Sequence, residues 1–556
     1  MKFSRGLTAL AGAILISYTT ATVTMNIARG PNLNRRSLAA RDSITAVLNN
    51  NITGGTYYVD VNVGSPGQKQ TMALDTGSSD VWLLSSTADL CTDPDLQATL
   101  GDGCASTFNH SNSSTYKLVK KGGFDIQYVD QSGASGDYIS NVFQIGGSTI
   151  KTLEMGLGYK ATIGTGLIGI GYSLNEASDS RHNAAPFTYP SIIDTMFSQG
   201  LIDRKAYSLY LNDLDASTGS IIFGGLDADK YHGDLLQMPV VPTRLQNGSS
   251  VYLDLGVALT SFGITGQQRN TLNLTSNGFA EVAILDSGTT ITYLPTSIIT
   301  DMYPKIGAVD DSNGTGIVYI DCAIMKQSPD LTFNYGFGGP SGLSIAIPIN
   351  EVVFSLQDIL SDPNIQLPTL PFSNPCAFGI YDGGSTGPYI LGDTFLRSAY
   401  VVYDLENNVI AIAQTNFNSS SSNVVEFQAN ATEIPKVSGL ASSVNVEATA
   451  TNTGLPGIGG GKNTPSGSGS GGGEASKTAS VTGLVTTDAG GVLTGSTSVA
   501  KATPTTATTA TTTPSSTASQ SKSAAARSVP AFDARGVVIL AIAGVCVVLG
   551  SGWFVT

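Results

Sequence analysis

Apolar and polar side chains alternate along the chain from residue 57 onward, which is the pattern of strands with one buried face. Tyr57–Val63 forms one such run, Gly64–Gly67 indicates a turn, and Gln70–Leu74 and Asp80–Leu84 follow as two further short strands. Helical periodicity is scarce, whereas runs of Val, Ile, Thr and Tyr interrupted by Gly recur through the chain. The pattern therefore predicts a mostly β protein.

One order of elements occurs twice. In each half an apolar strand leads into an Asp-hydroxyl-Gly turn, and a short helix and an apolar strand ending in Gly are also present. The turns are Ala73–Ser79 and Ile284–Thr290, the helices run from Ser191 to Gln199 and from Thr296 to near Pro304, and the apolar-Gly strands are Gly166–Gly171 and Tyr389–Asp393. This internal duplication predicts two lobes of similar build. Each lobe contributes one Asp, so we expect the pair at the interface between lobes, where ligands usually bind.

The two Asp residues of these turns, Asp75 and Asp286, suggest one kind of chemistry. Two carboxylates that lie close together cannot both ionise cheaply, so one of them keeps its proton in mild acid. The ionised carboxylate can take a proton from water while the protonated one hydrogen-bonds a peptide carbonyl. The alternative interpretation is that both motifs are ordinary turn sequences at strand ends.

Three kinds of residue follow each Asp and are predicted to support the pair. Gly77 and Gly288 admit backbone N–H groups close to the carboxylates. The hydroxyls of Thr76 and Ser287 brace one lobe against the other. The hydroxyls of Ser78 and Thr289 hold the outer carboxylate oxygens.

The duplicated motifs resemble those of the pepsin-like aspartic proteases, and the resemblance covers about residues 55–416. It implies a bilobal, mostly β fold with the active-site cleft between the lobes, which we place at residues 55–235 and 236–417. Asp75 and Asp286 would then be the catalytic pair. The resemblance further implies peptide or protein substrates, no cofactor or metal, and a monomer.

A predicted hairpin, Phe124–Gly133, resembles the flap that covers the cleft in this family. Tyr128 matches the flap tyrosine, and Trp82 matches the tryptophan that packs beneath it. Val129 and Gln131 stand where the family usually has Gly, so the hairpin tip departs from the pattern. A flap of this kind excludes water and clamps an extended substrate. A surface hairpin with a half-buried tyrosine, and a Trp82 that is simply core, are the alternatives.

Four cysteines lie in the predicted lobes, and four cysteines allow three pairings. The resemblance implies that Cys91 pairs with Cys104 and Cys322 with Cys376, and these pairings also close the shorter loops. The fifth cysteine, Cys546, lies in an apolar C-terminal tail that we expect to be absent from the mature protein.

The N-terminal region predicts entry into the secretory pathway. Lys2 and Arg5 precede an apolar run, so residues 1–21 are predicted to be a signal peptide rather than a short membrane anchor. Residues 22–36 end in a pair of arginines and are predicted to be a short pro-segment removed by a processing protease, the alternative being a basic patch. Sequons for glycosylation occur at Asn51, Asn109, Asn112, Asn247, Asn273, Asn313, Asn418 and Asn430.

The composition changes near residue 418, and Gly, Ser, Thr and Ala come to dominate. Residues 418–523 are predicted to be a disordered, O-glycosylated stalk, because such a segment buries too little apolar surface to fold. Residues 524–556 fit a glycosylphosphatidylinositol attachment signal, with Ser523, Ala524 and Ala525 as candidate attachment sites. A transmembrane helix is the alternative, but Lys or Arg normally follows such a helix on its cytoplasmic side, and none follows here.

Charge and motif content argue against several functional classes. The formal net charge is -14 with only 28 Lys and Arg, which argues against a nucleic-acid partner. The three His residues are scattered without metal-ligand spacing. No Gly-rich phosphate-binding loop with its Lys is present either.

Pepsin-like lobes followed by a stalk and a lipid anchor resemble the yapsin-type proteases of fungal cell surfaces, which tend to cleave beside basic residues. Asp93, Asp95 and Asp102 lie in the loop between the first two cysteines. They would attract Lys or Arg of a substrate if the loop borders the cleft, or they are simply solvated. We therefore expect an aspartic endopeptidase held at the outer face of the cell membrane or in the cell wall. A catalytically silent peptide- or wall-binding protein of the same fold and a structural wall protein are the alternatives.

Overall fold

The computed structural model describes residues 23–29 and 56–449, except residues 101–102, 129–131, 180–186, 217, 246, 268–269, 341, 357–365, 442–445 and 447. Several predicted features lie outside the described residues. They are the signal peptide, the paired arginines, the sequon at Asn51, most of the stalk, the candidate attachment residues Ser523, Ala524 and Ala525, and the anchor signal, residues 524–556. Strands dominate the described chain, so the prediction of a mostly β protein is confirmed. Within those residues no helix combines the length and apolar character needed to cross a bilayer.

The first half of the described chain is built mainly from strands. They are β1 (Val23–Arg29), β2 (Tyr57–Val63), β3 (Gln68–Asp75), β4 (Val81–Leu84), β5 (Lys117–Gln127), β6 (Gly133–Ile145), β7 (Ser148–Ala161), β8 (Gly166–Gly169), β9 (Ala206–Tyr210), β10 (Thr218–Phe223), β11 (Gly225–Asp227) and β12 (Tyr231–Pro239). Helices α1 (Asp89–Thr92), α2 (Pro94–Leu100) and α3 (Ile192–Ser198) connect them, with 3-10 turns at His110–Asn112, Ser173–Asn175 and Ala177–Asp179.

The second half is similar in composition. Its strands are β13 (Thr243–Arg244), β14 (Ser250–Val251), β15 (Gly256–Thr265), β16 (Thr271–Asn273), β17 (Glu281–Leu285), β18 (Thr292–Leu294), β19 (Val309–Asp311), β20 (Ile317–Asp321), β21 (Thr332–Phe337), β22 (Leu343–Pro348), β23 (Val353–Ser355), β24 (Pro375–Phe378), β25 (Ile380–Asp382), β26 (Tyr389–Leu391), β27 (Ala399–Asp404), β28 (Val409–Thr415), β29 (Val424–Glu426), β30 (Val437–Leu440) and β31 (Ala448–Thr449). The helices are α4 (Thr296–Ile306), α5 (Ile324–Gln327) and α6 (Asp393–Leu396), with a 3-10 turn at Ile349–Glu351.

A 14-stranded sheet joins the two halves, in the order β30-β12-β28-β27-β9-β10-β1-β2-β3-β8-β4-β7-β6-β5. β27 pairs antiparallel with β9, with Val401 opposite Leu209, so the last strands of the second lobe close onto the first. β12 runs across residue 235, where the sequence places the lobe boundary, because this strand belongs to the shared sheet. An eight-stranded sheet, β22-β21-β15-β17-β26-β18-β25 with β16 beside β15, forms the second lobe.

The alternation seen in the sequence produces the core. In β2 the apolar side chains are buried, whereas Asp60 and Asn62 between them are exposed. Burying one large apolar side chain contributes about 1.5–3 kcal/mol. The same rule acts in β27 and β28, but these strands are covered on both faces and are therefore apolar almost throughout.

The two helices expected from the duplication are present. Ser191 caps the N-terminus of α3 through a capping box with Asp194. Gly200, the predicted end of this helix, has a φ of +69°, the left-handed conformation in which helices commonly end. Helix α4, expected to end near Pro304, continues to Ile306 and closes on Gly307. Pro304 removes one backbone hydrogen bond, but the buried face that includes Ile306 keeps the last turn in place.

Part of the predicted pro-segment lies inside the shared sheet. β1 pairs antiparallel with β10 over Val23–Ala28 and with β2 at its C-terminal end. Cleavage after the paired arginines would leave this strand within the sheet unless it dissociated. Its position gives the segment an architectural role next to the first lobe.

The ordered chain continues beyond residue 417, where the sequence predicts the stalk to begin. Residues 418–441, which we call the strap, pack along the shared sheet: β29 pairs with β11, and β30 pairs in parallel with β12. Phe427 and Ile434 of the strap are buried. The prediction of a stalk starting at 418 followed the polar composition and overlooked these few apolar residues.

Polar contacts hold the strap along its length. Asp227 accepts hydrogen bonds from the Ser422 hydroxyl and the Asn423 N–H, both at 2.7 Å. The Lys230 ammonium donates to two carbonyls of the strap, at 2.7 and 2.8 Å. Arg204 donates to the Glu433 carbonyl at 3.0 Å. The strap is therefore an integral part of the folded body.

The strap generates a test of stability. Phe427→Ala removes a buried aromatic ring and should lower the free energy of unfolding by about 3 kcal/mol, the lower end of the range for such truncations. Val424→Ala, in the strand β29 that immediately precedes Phe427 but 41% exposed, should change it by less than about 0.5 kcal/mol. Urea unfolding of the purified protein measures both. Equal stability of the two variants would contradict a packed strap.

Candidate active site

Each Asp of the duplicated motif lies at the C-terminal end of an apolar strand. Asp75 is the last residue of β3, which pairs in parallel with β8, so that Asp75 lies opposite Gly169. Asp286 follows β17, which pairs in parallel with β26, and its N–H donates to the Leu391 carbonyl at 3.1 Å. Both Asp side chains are completely buried. The apolar-Gly strands identified in the sequence thus support each Asp from the side.

The two turns meet face to face across the lobe interface. A Cβ atom added to Gly77 would lie 2.5 Å from Oδ1 of Asp286, and one added to Gly288 would be just as close to Oδ1 of Asp75. The N–H of each glycine donates to the Asp of its own turn at 2.8 Å. No side chain fits at these two positions, so glycine is required for the carboxyls to approach one another.

Two hydroxyls brace one lobe against the other. The Thr76 hydroxyl donates across the interface to the Leu285 carbonyl at 2.8 Å, and the Ser287 hydroxyl donates back to the Leu74 carbonyl at 3.0 Å. Each of these hydroxyls also accepts the N–H of the other residue, at 2.8 and 3.2 Å. The bracing expected of Thr76 and Ser287 is therefore observed, and it relates the lobes by an approximate twofold symmetry.

The second pair of hydroxyls holds the outer carboxyl oxygens. Ser78 donates to Oδ2 of Asp75, and Thr289 donates to Oδ2 of Asp286 at 2.5 Å. Together with the glycine N–H groups, these bonds fix both oxygens of each carboxyl. The carboxyls thus have little rotational freedom before any substrate binds.

Burial dominates the electrostatics of the pair. It raises the pKa of Asp75 well above its usual range, and the charge of Asp286 raises it further, against the opposing hydrogen bond from Ser78. Burial also raises the pKa of Asp286, while hydrogen bonds from Thr289 and Gly288 oppose the shift. A second negative charge is therefore costly in this buried site, which favours the form of the pair that holds one proton.

The predicted flap residues contact one another. The Trp82 indole N–H donates to the Tyr128 hydroxyl at 2.7 Å, and Trp82 also packs against Phe124 at a ring distance of 6.0 Å. Both Trp82 and Tyr128 are buried, so Trp82 belongs to the core and also contacts the tyrosine of the predicted flap. The departures at Val129 and Gln131 lie outside the described residues.

Asp80 is a buried polar residue near the site that the sequence indicated only as the start of a strand. It accepts hydrogen bonds from the Tyr189 hydroxyl at 2.6 Å, the Tyr138 hydroxyl at 3.2 Å and the Ala177 N–H at 2.7 Å. Burial raises its pKa, against the hydrogen bond from Tyr189. Asp80 thereby links the turn that carries Asp75 to flap strand β6. An Asp directly before an apolar Val-Trp run was the available signal.

Both predicted disulfides are present, Cys91–Cys104 and Cys322–Cys376. Within the loop closed by the Cys91–Cys104 disulfide, the Asp93 side chain caps helix α2. It accepts hydrogen bonds from the N–H groups of Asp95 and Leu96. Asp95 is exposed, and Asp102 lies outside the described residues.

The sequons lie mostly on the surface. Asn109 is half-buried and its side chain accepts the N–H of Ser111 at 3.0 Å. The exposed sequon asparagines are Asn112, Asn247, Asn273, Asn313, Asn418 and Asn430. These six positions are accessible to a glycosylating enzyme.

Comparisons with known proteins agree with this geometry. A family model described as "Eukaryotic aspartyl protease" matches residues 56–415. "Probable aspartic-type endopeptidase opsB" of Aspergillus oryzae is 36% identical over 406 residues, covering 72% of this chain and 77% of the relative. "Acid protease" of Saccharomycopsis fibuligera is 34% identical, covering 71% and 89%. "Secreted aspartic protease 8" of Candida albicans is 34% identical, covering 66% and 78%.

A solved structure shares the fold. The aspartic proteinase from Irpex lacteus superposes with a TM-score of 0.51 at 20% identity, covering 72% of this chain and all of the other. At that identity the likeness concerns the fold alone, and it confirms the bilobal pepsin-like architecture. The family match extends over most of the chain and includes both Asp turns. The protein therefore belongs to the eukaryotic aspartyl protease family.

Proposed function

We propose that the protein is an aspartic endopeptidase in which Asp75 and Asp286 activate a water molecule for attack on a peptide bond. The observation that carries the proposal is the pair of buried carboxyls, fixed on both sides by matching hydrogen bonds from the two lobes. Such fixed groups need little reorganisation during the reaction. Thr76, Ser287 and the two glycines serve as positioning residues.

The chemistry follows from one shared proton. The ionised carboxyl removes a proton from the water, whose oxygen forms a bond to the peptide carbon. The protonated carboxyl donates a hydrogen bond to the carbonyl oxygen as negative charge develops there. Breakdown of the tetrahedral intermediate transfers a proton to the departing amine, and the pair again holds one proton. Tyr128 closes over the cleft and limits access of bulk water.

The alternative is a catalytically silent peptide- or wall-binding protein of the same fold. A protein of this fold that has lost catalysis is expected to carry a substitution at one of the two Asp residues or at a residue that positions them. Here both Asp residues, both glycines and all four hydroxyls are present and engaged. This completeness favours the active enzyme. A purely structural wall protein would have no need of the paired turns.

We also propose that the enzyme is secreted and held at the cell surface by a lipid anchor, as in yapsin-type proteases. Two disulfides suit an oxidising compartment. The exposed sequons suit a glycoprotein, and a relative in Candida albicans is named a secreted protease. The pro-segment, residues 22–36, and the attachment signal, residues 524–556, belong to this proposal.

Preference for basic residues beside the scissile bond is a further part of the proposal. The acidic protein, with its net charge of -14, favours approach of cationic substrates. The loop carrying Asp93, Asp95 and Asp102 is one source of this field. Because such surface charges act through steering, their effect should weaken as salt is raised.

The dyad is tested by substitution. Asp75→Asn or Asp286→Asn should each lower kcat for an uncharged peptide by about 10³-fold or more, since either the base or the acid is lost. Asp234→Asn, an exposed residue, is the matched control and should retain wild-type turnover. Thermal unfolding checks that all three variants fold. Near wild-type turnover in either dyad variant would contradict the shared-proton mechanism.

The shared proton also predicts the pH dependence. The initial rate on an uncharged peptide should trace a bell on the acid side of neutrality, measured from about pH 2 to 8. The lower limb marks protonation of the base and the upper limb marks loss of the shared proton. An optimum above neutrality, or inhibition by a chelator and not by a statine-type compound, would point to another mechanism.

Stability must be measured at each pH in that experiment. Burial raises the pKa of both carboxyls, so the folded state binds the shared proton more tightly than the unfolded chain does. This contribution to stability is fully present below the unfolded pKa and is lost as pH rises through the folded pKa. A rate that falls at neutral pH is therefore assigned to the dyad only where the protein remains folded.

The anchor is tested by release. A phospholipase specific for inositol lipids should free the protein from membranes, and a chain truncated before Ser523 should be secreted in active form. Immunoblotting of membrane and soluble fractions measures release. Resistance to the lipase, with the apolar tail still present by mass spectrometry, would instead support a transmembrane helix.

A further inference from the structure

A third carboxyl lies next to the dyad. β15 and β17 pair antiparallel with Gly256 opposite Ile284, and the Leu285 N–H donates to the Leu255 carbonyl at 3.2 Å. The same register carried one residue further places Asp254 opposite Asp286. Residues directly opposed in an antiparallel pair have their side chains on the same side, with Cβ atoms about 5 Å apart. Asp254 is therefore a direct neighbour of the catalytic carboxyl of the second lobe.

Asp254 differs from the dyad in having no partner within the described chain. Its carboxyl forms no hydrogen bond or ion pair with any described residue, while its side chain keeps partial exposure. The ion pairs found in the described residues join Lys69 to Asp60, Arg204 to Asp404, Lys205 to Asp194 and Arg397 to Glu351. No cation of the described chain thus satisfies this carboxyl.

Two aromatic rings connect the segment before Asp254 to the first lobe. Tyr252, two residues before Asp254, packs against Tyr172 of the first lobe at a ring distance of 6.0 Å and an angle of 32°. Tyr172 follows the apolar-Gly strand that supports Asp75. Both rings are half-buried. This contact ties the segment that carries Asp254 to the first lobe, next to the turn that carries Asp75.

We propose that Asp254 binds the cationic side chain of a substrate Lys or Arg beside the scissile bond, and so determines specificity for basic residues. The inference rests on the proposed peptidase function, since it concerns the same cleft. It identifies a residue of the cleft itself, rather than the surface loop, as the main source of basic preference.

The electrostatic setting makes this binding dependent on pH. Burial, and then the charge of Asp286, raise the pKa of Asp254 to about 7. Burial also raises the pKa of Tyr172, so that ring stays neutral. A bound cation favours the ionised form of Asp254, so preference for a cation should grow as pH rises toward 7. The ammonium of Lys does not titrate in this range.

The experiment compares Lys with norleucine, which lacks the ammonium, in peptides of one sequence. The substituted residue is moved through each position near the scissile bond, and kcat/KM is measured from about pH 4 to 7. The ratio of the Lys to the norleucine value cancels the titration of the dyad. In the wild type, this ratio should exceed one at one position and rise with pH, reaching about 10- to 100-fold for a charge-assisted contact.

Asp254→Asn should reduce that ratio to near one and remove its rise with pH. Asp234→Asn is the exposed control and should keep both. A purely structural role for Asp254 would alter both peptides alike and leave the ratio and its slope unchanged, which would overturn the inference. A second result would also overturn the inference: the Lys-to-norleucine ratio falls to near one in the triple variant Asp93→Asn, Asp95→Asn, Asp102→Asn but is retained in Asp254→Asn.

The design separates this inference from the function on which it rests. If the wild type cleaves neither peptide at any pH, the proposed function fails. If norleucine peptides are cleaved but the wild-type ratio is flat between about pH 5 and 7, only the role of Asp254 fails. That wild-type result decides the matter even if Asp254→Asn does not fold, and Asp254→Ser provides a second variant.

Discussion

The contact on which the rest of the structure depends is the meeting of two buried carboxyls across an interface between lobes. Two negative charges so close together would repel strongly in a buried site, and the surrounding hydrogen-bond donors offset part of that cost. Every donor is part of the two turns: glycine N–H groups on the inner oxygens and hydroxyls on the outer ones. These bonds lie within each turn and fix the orientation of each carboxyl.

This constraint explains why the lobes are joined as they are. The hydroxyls of Thr76 and Ser287 reach across to carbonyls of the opposite lobe, so a small shift of one lobe would break bonds at the centre of the site. The shared sheet resists such a shift, because β27 and β28 of the second lobe continue the pairing of β9 and β10 in the first. The position of the carboxyls thus depends on the continuity of the shared sheet.

The paired Asp turns and their supporting residues were predictable from sequence because they are encoded locally. Asp, hydroxyl and glycine occur within five residues of one another, and the duplication supplies the partner. Asp254 could not be found in this way, because its proximity to Asp286 depends on the pairing of β15 with β17. Asp80 is a similar case, since its tyrosine partners come from residues 138 and 189. Tyr128 and the disulfide pairing were predictable only through family resemblance.

Errors at element boundaries also have physical causes. Composition averages over many residues, so the polar stretch after residue 417 concealed the few apolar anchors of the strap, Phe427 and Ile434. A proline is a strong signal for a helix end, yet Pro304 lies inside α4 because the helix buries Ile306 beyond it. In both places burial of a single side chain outweighed the local pattern.

The strap has a mechanical consequence if the chain is anchored beyond it, as proposed above. A pull applied beyond residue 449 would reach β31 first, then β30 and β29, and only then β28 and β27. Peeling the strap from the body would release a length of chain of about 80 Å when extended. The dyad lies behind the strap in this order of loading. The pairing of β31, β30 and β29 would therefore have to break before the load reached the strands next to the two Asp turns.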